Sequence, residues 1–291
     1  MKERINLLVT GSNGQLGQEI RELASNFRGY NFFFTSKADL DITDFHAVEN
    51  FISQNKIKVI INCAAYTHVD KAEDEAHLAQ NINHFAVKNL AQLAQKNQIK
   101  LIHISTDYVF DGNSEIPYTE SAATNPQNEY GRSKLNGENA ILEINPANSV
   151  IIRTSWLYSS YGTNFVKNII KLAKEKDELS VVSDQIGSPT YAKDVASFIL
   201  KILPTISNNN VEIYHYTNYG SCSWFEFASE IVKNTALKCV IVPISTVEFN
   251  AKAYRPKFSL LATTKIKKIG KVSIPNWETS LKNCIKKLNL R

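Results

Sequence analysis

Ile5-Asn6-Leu7-Leu8-Val9-Thr10-Gly11-Ser12-Asn13-Gly14-Gln15-Leu16-Gly17 begins as an apolar run, breaks into glycines at every third position and then turns helical. The order reads as strand, tight turn and helix N-terminus, where backbone amides can face a pyrophosphate and glycine lets it come close. A glycine triplet alone also suits a plain structural turn. Here the same rhythm continues: apolar runs at Tyr30 to Thr35, Val59 to Cys63, Lys100 to Ser105 and Val150 to Thr154 alternate with helical periodicity. The helical stretches are Leu16 to Ala24, Phe45 to Gln54, Leu78 to Lys96 and Tyr130 to Leu142. That alternation predicts an α/β chain with a doubly wound parallel sheet. Asp44 is the expected N-cap of the second helix. Leu78, Ile82, Phe85, Leu90, Leu93 and Ala94 are expected to share most of one face, suiting a helix that lies on the sheet.

From Trp156 onward the rhythm loosens, with helices expected near Phe165 to Lys174, Ala192 to Leu203, Phe225 to Val232 and Trp277 to Leu288. The expected division is a Rossmann-like dinucleotide-binding domain over residues 1–155, possible returns to it from 176–218, and a smaller, mainly substrate-binding domain over 156–291. The 291 residues are 43% hydrophobic and 21% charged, which excludes fibrous, low-complexity and wholly disordered classes. Net charge is +5, and the C-terminal basic scatter of Lys265, Lys267, Lys268, Lys271, Lys282, Lys286 and Lys287 is too diffuse for a nucleic-acid stripe. Cys63, Cys222, Cys239 and Cys284 form no C-x-x-C pair, and His46, His68, His77, His84, His103 and His215 form no H-x-x-x-H pair. Neither a disulfide framework nor a metal site is expected. The first residues lack a signal-peptide pattern, and no run reaches the ~18 apolar residues of a membrane span, so a cytoplasmic protein without membrane or nucleic-acid partners is expected.

Two segments carry chemistry. Ser105-Thr106-Asp107-Tyr108 falls at the carboxyl end of the fourth strand, where a parallel sheet meets its ligands. Tyr130-Gly131-Arg132-Ser133-Lys134 places a phenol and an ammonium one helical turn apart. A nearby cation favours the phenolate, so the pair can serve as an acid-base group.

Together, Gly11-x-x-Gly14-x-x-Gly17, the hydroxyls after the fourth strand and Tyr130-x-x-x-Lys134 resemble the extended short-chain dehydrogenase/reductases. Asn62-Cys63-Ala64-Ala65-Tyr66-Thr67, Val69-Asp70-Lys71-Ala72-Glu73, Ser105 to Gly112, Arg153-Thr154-Ser155-Trp156, Gly187-Ser188-Pro189-Thr190, Arg255-Pro256 and Pro275-x-Trp277-Glu278 narrow the resemblance to the dTDP-4-dehydrorhamnose reductases. The resemblance implies a reductase that uses NAD(P)H on the C4 keto group of dTDP-4-dehydrorhamnose to give dTDP-L-rhamnose. Gly11, Asn13, Gly14, Gln15, Leu16 and Gly17 would lie on the cofactor pyrophosphate, Asp41 and Ile42 near the adenine, and Ala64, Ala65, Tyr66 and Thr67 along the ribose and nicotinamide. Tyr130 would protonate the keto oxygen, Thr106 would donate to the same oxygen, and Lys134 would lower the Tyr130 pKa and bind the nicotinamide ribose. Asp107 would contact the sugar, and Val69 and Trp156 would bracket its ring. Asn83 resembles a buried family asparagine that holds the active-site strand.

NADPH is expected in preference to NADH, because the second strand ends in Thr35-Ser36-Lys37 rather than in an acid. Asp39 and Asp41 follow closely and could instead reach the ribose. Some relatives hold Mg²⁺ at a dimer contact; Glu19 matches the first ligand position, but Lys193 stands at the second, which argues against the ion. Monomer and homodimer both stay open. So do two other readings: a nucleotide-sugar dehydratase or epimerase, and a non-catalytic subunit like the regulatory one of methionine adenosyltransferase. Tyr108 stands where dehydratases carry the Glu of Thr-Asp-Glu, and Trp156 supplies the reductase-like aromatic.

Overall fold

Six parallel strands form one sheet in the order Glu212–His215, Val150–Thr154, Lys100–Thr106, Val59–Asn62, Ile5–Thr10, Tyr30–Thr35. This is a computed structural model that describes residues 3–269 and 273–289; Lys271 of the basic scatter lies outside the described residues. Each central strand is buried on both faces, as crossover helices require. Leu7, Val9 and Ile61 pack against Ile20 of helix Gln15–Leu23 and against Val195, Ala196 and Ile199 of helix Ala192–Ile202. Leu8, Ile60 and Ile151 face the other way, onto Val48 of helix Phe45–Gln54, Leu90 of helix Ala86–Asn97 and Ile141 of helix Glu129–Ile144. Asp44 caps its helix by accepting from the Ala47 amide at 2.9 Å.

One expected helix is interrupted. Leu78 to Lys96 is helix Ala76–Gln80, a π-helical turn Asn81–Phe85, and helix Ala86–Asn97. The wider turn rotates the face, so Leu78 and Phe85 are exposed while Leu90, Leu93 and Ala94 are buried. The single apolar stripe expected across the stretch is therefore split. The rotation has a purpose visible in the contacts: it buries Asn83, whose side chain accepts from the Tyr66 amide at 2.9 Å and donates to the Tyr66 carbonyl at 3.0 Å and to the Ser133 hydroxyl at 2.9 Å.

A second apolar cluster gathers Val166 and Ile169 of helix Phe165–Glu175, Phe227 and Ile231 of helix Trp224–Thr235, and Leu281 and Ile285 of helix Trp277–Asn289. Glu178–Val182 and Val240–Ile244 run parallel beside it. Among the described residues no helix is long and apolar enough to cross a membrane.

Candidate active site

A cleft of about 570 Å³ opens at the carboxyl ends of the central strands. Gly11, Gly14, Gln15, Leu16 and Gly17 form one wall, Thr106, Asp107, Tyr130 and Lys134 the floor, and Val69, Trp156 and Trp224 the far side. A second cavity of about 290 Å³ continues past Asn13, Ser36, Lys37, Asp41, Ile42, Ala64 and Ala65. The glycine turn is forced by contact. A Cβ on Gly11, whose φ is +62°, would lie 2.6 Å from the Ala64 nitrogen, and one on Gly17 would lie 2.5 Å from the Ser12 Cα.

Helix Glu129–Ile144 starts at Asn128, which accepts from the Gly131 amide at 2.7 Å, and its first turns bring Tyr130 and Lys134 to the cleft. A Cβ on Gly131 would lie 2.2 Å from the Tyr108 carbonyl oxygen, so the helix meets the fourth strand's end at backbone distance. Burial pushes the Tyr130 phenol up to about 12, against a hydrogen bond with Thr106 and with help from the nearby Asp107. Lys134, one helical turn further along the same helix, lines the same cleft. Lys134 is buried, donates to the Ile104 carbonyl at 2.6 Å and lies 3.2 Å from His103 Nε2. Burial brings its ammonium down to about 8. The phenol thus keeps its proton at neutral pH. Asp107 is held up to about 6 by burial, which outweighs the hydroxyls of Ser259 and Thr106.

Trp156 has a left-handed backbone, φ +47°, and its indole stacks on Trp224 with ring centroids 3.5 Å apart. A Cβ on Gly187 would lie 2.4 Å from the same indole. Tyr66 is the exception among the expected site residues. It is buried, its hydroxyl donates to Glu75 at 2.5 Å, and it packs with Ala72 and Ala79 rather than lining either cavity. Its neighbours Ala65 and Thr67 do line the cleft, because Asn83 pins the Tyr66 backbone between them.

At the second cavity, Lys37 is 77% exposed at its side chain and 3.8 Å from Asp41, while Ser36 donates from both its amide and hydroxyl to Asp39. Asp41 in turn accepts from the Thr43 amide and hydroxyl. Glu19 is fully buried: Ser159 donates to one of its oxygens at 2.6 Å and Lys287 to the other at 2.8 Å, and Lys193 pairs with Glu22. Among the described residues no group of His, Cys, Asp or Glu is arranged to hold a metal.

Sequence reading missed Trp224 and Phe165 of the cleft lining, and it gave Ser105 and Thr154, which lie in segments it singled out, no role of their own. For Trp224 a signal existed: Ser223 and Glu226 form a capping box that starts the helix at Trp224, one residue before the expected Phe225. It also gave His103 no role beyond its part in excluding a metal site.

The RmlD substrate binding domain model matches residues 5–290. A dTDP-4-dehydrorhamnose reductase of Aggregatibacter actinomycetemcomitans is 40% identical over 286 residues, covering 95% of this chain and 97% of that protein. The chain belongs to the dTDP-4-dehydrorhamnose reductase family. Two solved dTDP-4-dehydrorhamnose reductases superpose on it with TM-scores of 0.93 at 42% identity, covering 98% of this chain and all of each. One is from Clostridium acetobutylicum; the other, from Bacillus anthracis, is a complex with NADP.

Proposed function

We propose that the protein reduces the C4 keto group of dTDP-4-dehydrorhamnose with a nicotinamide cofactor, giving dTDP-L-rhamnose. The observation that carries this reading is the meeting of Tyr130, Thr106 and Lys134 on the floor of one cleft, between the glycine turn and the Trp156 side chain. The cleft suits a large polar ligand: Gln15 Oε1, Ser105 Oγ and Thr154 Oγ1 are buried there with no hydrogen-bond partner in the protein. The family names of the relatives set out above agree.

The helix N-terminus at Gly14 and Gln15 would hold the cofactor pyrophosphate, and the dinucleotide, when bound, supplies the hydride. Tyr130 would then give its proton to the sugar's C4 oxygen. A phenol held at about 12 is fully protonated at working pH and a stronger acid than the sugar alcohol that protonation of the developing alkoxide gives. Thr106 would donate to the same oxygen as charge develops on it. Lys134 would present a donor to the nicotinamide ribose, Asp107 would contact the sugar, and Val69 and Trp156 would flank its ring.

The division of labour we infer places residues 1–155, with parts of 176–218, on the cofactor, and mainly 156–291 on the sugar. NADPH would be preferred, with Lys37 and the Ser36 hydroxyl turning from Asp41 and Asp39 toward a 2′-phosphate. That the Bacillus anthracis relative was solved with NADP supports this choice.

The test is consumption of NADPH with the keto sugar. Tyr130→Phe should keep cofactor binding and lose ~10² to 10⁴-fold in turnover, the usual worth of a general acid. Wild-type turnover in that variant would refute the assignment. For the cofactor, kcat/KM for NADPH should exceed that for NADH and fall in Lys37→Ala; equal loss with both cofactors would mean that Lys37 does not touch the phosphate.

A further inference from the structure

Behind Lys134 runs a chain of buried polar side chains that the proposed chemistry does not use. Thr10 Oγ1 lies 2.6 Å from Asn62 Oδ1, Asn62 Nδ2 lies 3.0 Å from His103 Nδ1, and His103 Nε2 lies 3.2 Å from Lys134 Nζ. The chain crosses the sheet through its first, third and fourth strands, and Thr10, Asn62 and His103 are all buried. With the amide in that orientation, Nδ1 accepts, so Nε2 carries the ring proton and confronts the ammonium donor to donor. Turning the amide over exchanges its oxygen and nitrogen without moving either position. His103 Nδ1–H then donates to the amide oxygen, the amide nitrogen donates to the Thr10 hydroxyl, and Nε2 is free to accept from Lys134.

We propose that this second polarity is the working one and that His103 is the positioning residue of Lys134: an uncharged imidazole that, with the Ile104 carbonyl, takes two of the three ammonium protons and leaves the third aimed at the cleft. The proposal rests on the reading of Lys134 as the partner of Tyr130 and the cofactor ribose. Burial and the adjacent ammonium both hold His103 well below its usual pKa, which keeps the ring neutral. The other titratable groups about Lys134 are Cys63 at the end of the third strand, Glu138 on its own helix, and Tyr130 one turn earlier. Glu138 is tied to Arg153 of the fifth strand, and burial pushes the Cys63 thiol up to about 12, so neither replaces His103 as an acceptor at neutral pH.

Two measurements test this. Ring-¹⁵N histidine NMR of the wild-type protein, with the His103 signals identified by their loss in His103→Gln, should show Nδ1 protonated and Nε2 bare from pH 6 to 8. A ring protonated on Nε2, or on both nitrogens, overturns the proposal. This readout needs no turnover, so it stands or falls apart from the reductase reading. In kinetics, His103→Phe keeps the bulk but removes the acceptor, so the alkaline limb of kcat/KM should move down by about one pH unit. His103→Gln, with an oxygen for Lys134 and an amide for Asn62, should restore the limb. An unmoved limb in His103→Phe, or an equal shift in both variants, overturns the proposal in favour of simple packing.

Discussion

At Trp156 a large residue holds a left-handed backbone that costs of order 1–3 kcal/mol outside glycine. The neighbours show why it persists: Trp224 covers the indole and Gly187 leaves room beside it. The reading of this ring as a wall for the sugar therefore makes a prediction at Gly187. In Gly187→Ala the added methyl must displace the indole, so the substrate KM should rise several-fold while the cofactor Kd stays put. An unchanged KM would place the ring outside the sugar site. Trp156 was legible in the sequence because it follows a strand end in a recognisable segment. Trp224 was legible only as a helix start, through the Ser223–Glu226 capping box; nothing in a linear reading brings two distant indoles together. His103 was not legible, since its meaning comes from Asn62 and Lys134, each on a different element.

At the level of elements, the helix that carries Tyr130 and Lys134 is fastened from behind. Arg153 of strand Val150–Thr154 donates to Glu138 through Nε at 3.0 Å and Nη2 at 2.6 Å, with both side chains buried. Losing one partner of such a pair strands a charge, so Glu138→Leu should cost about 3–5 kcal/mol in urea unfolding, and adding Arg153→Met should recover much of it. Equal losses in the single and double variants would show that the pair is not coupled. The helix itself was readable from its periodicity, whereas the π-helical turn at Asn81–Phe85 was not. Its extra residue is imposed by what Asn83 must reach, not by local preference. Gly137 makes the same point: a Cβ there would sit 2.1 Å from the Asn83 carbonyl oxygen, a demand visible only once the two helices touch.

For the molecule as a whole, the strand and helix alternation of the first half was plain because each central strand is apolar on both faces. The sixth strand, Glu212–His215, escaped notice: four residues, Glu-Ile-Tyr-His, mostly half-buried at a sheet edge, carry no apolar run. Its place in the sheet has a kinetic consequence. It pairs with Val150–Thr154, the product of a long excursion that includes helices Phe165–Glu175 and Ala192–Ile202. Closing so large a loop is entropically slow compared with the local β-α steps that precede it. Ile213→Ala should accordingly speed unfolding and leave the folding arm of the chevron nearly unchanged; slowed folding would put the edge strand in the nucleus. On the ribosome, strand Val150–Thr154 has no neighbour on its outer side until residue 215 has emerged, so the nascent sheet presents an unpaired edge through that stretch of synthesis.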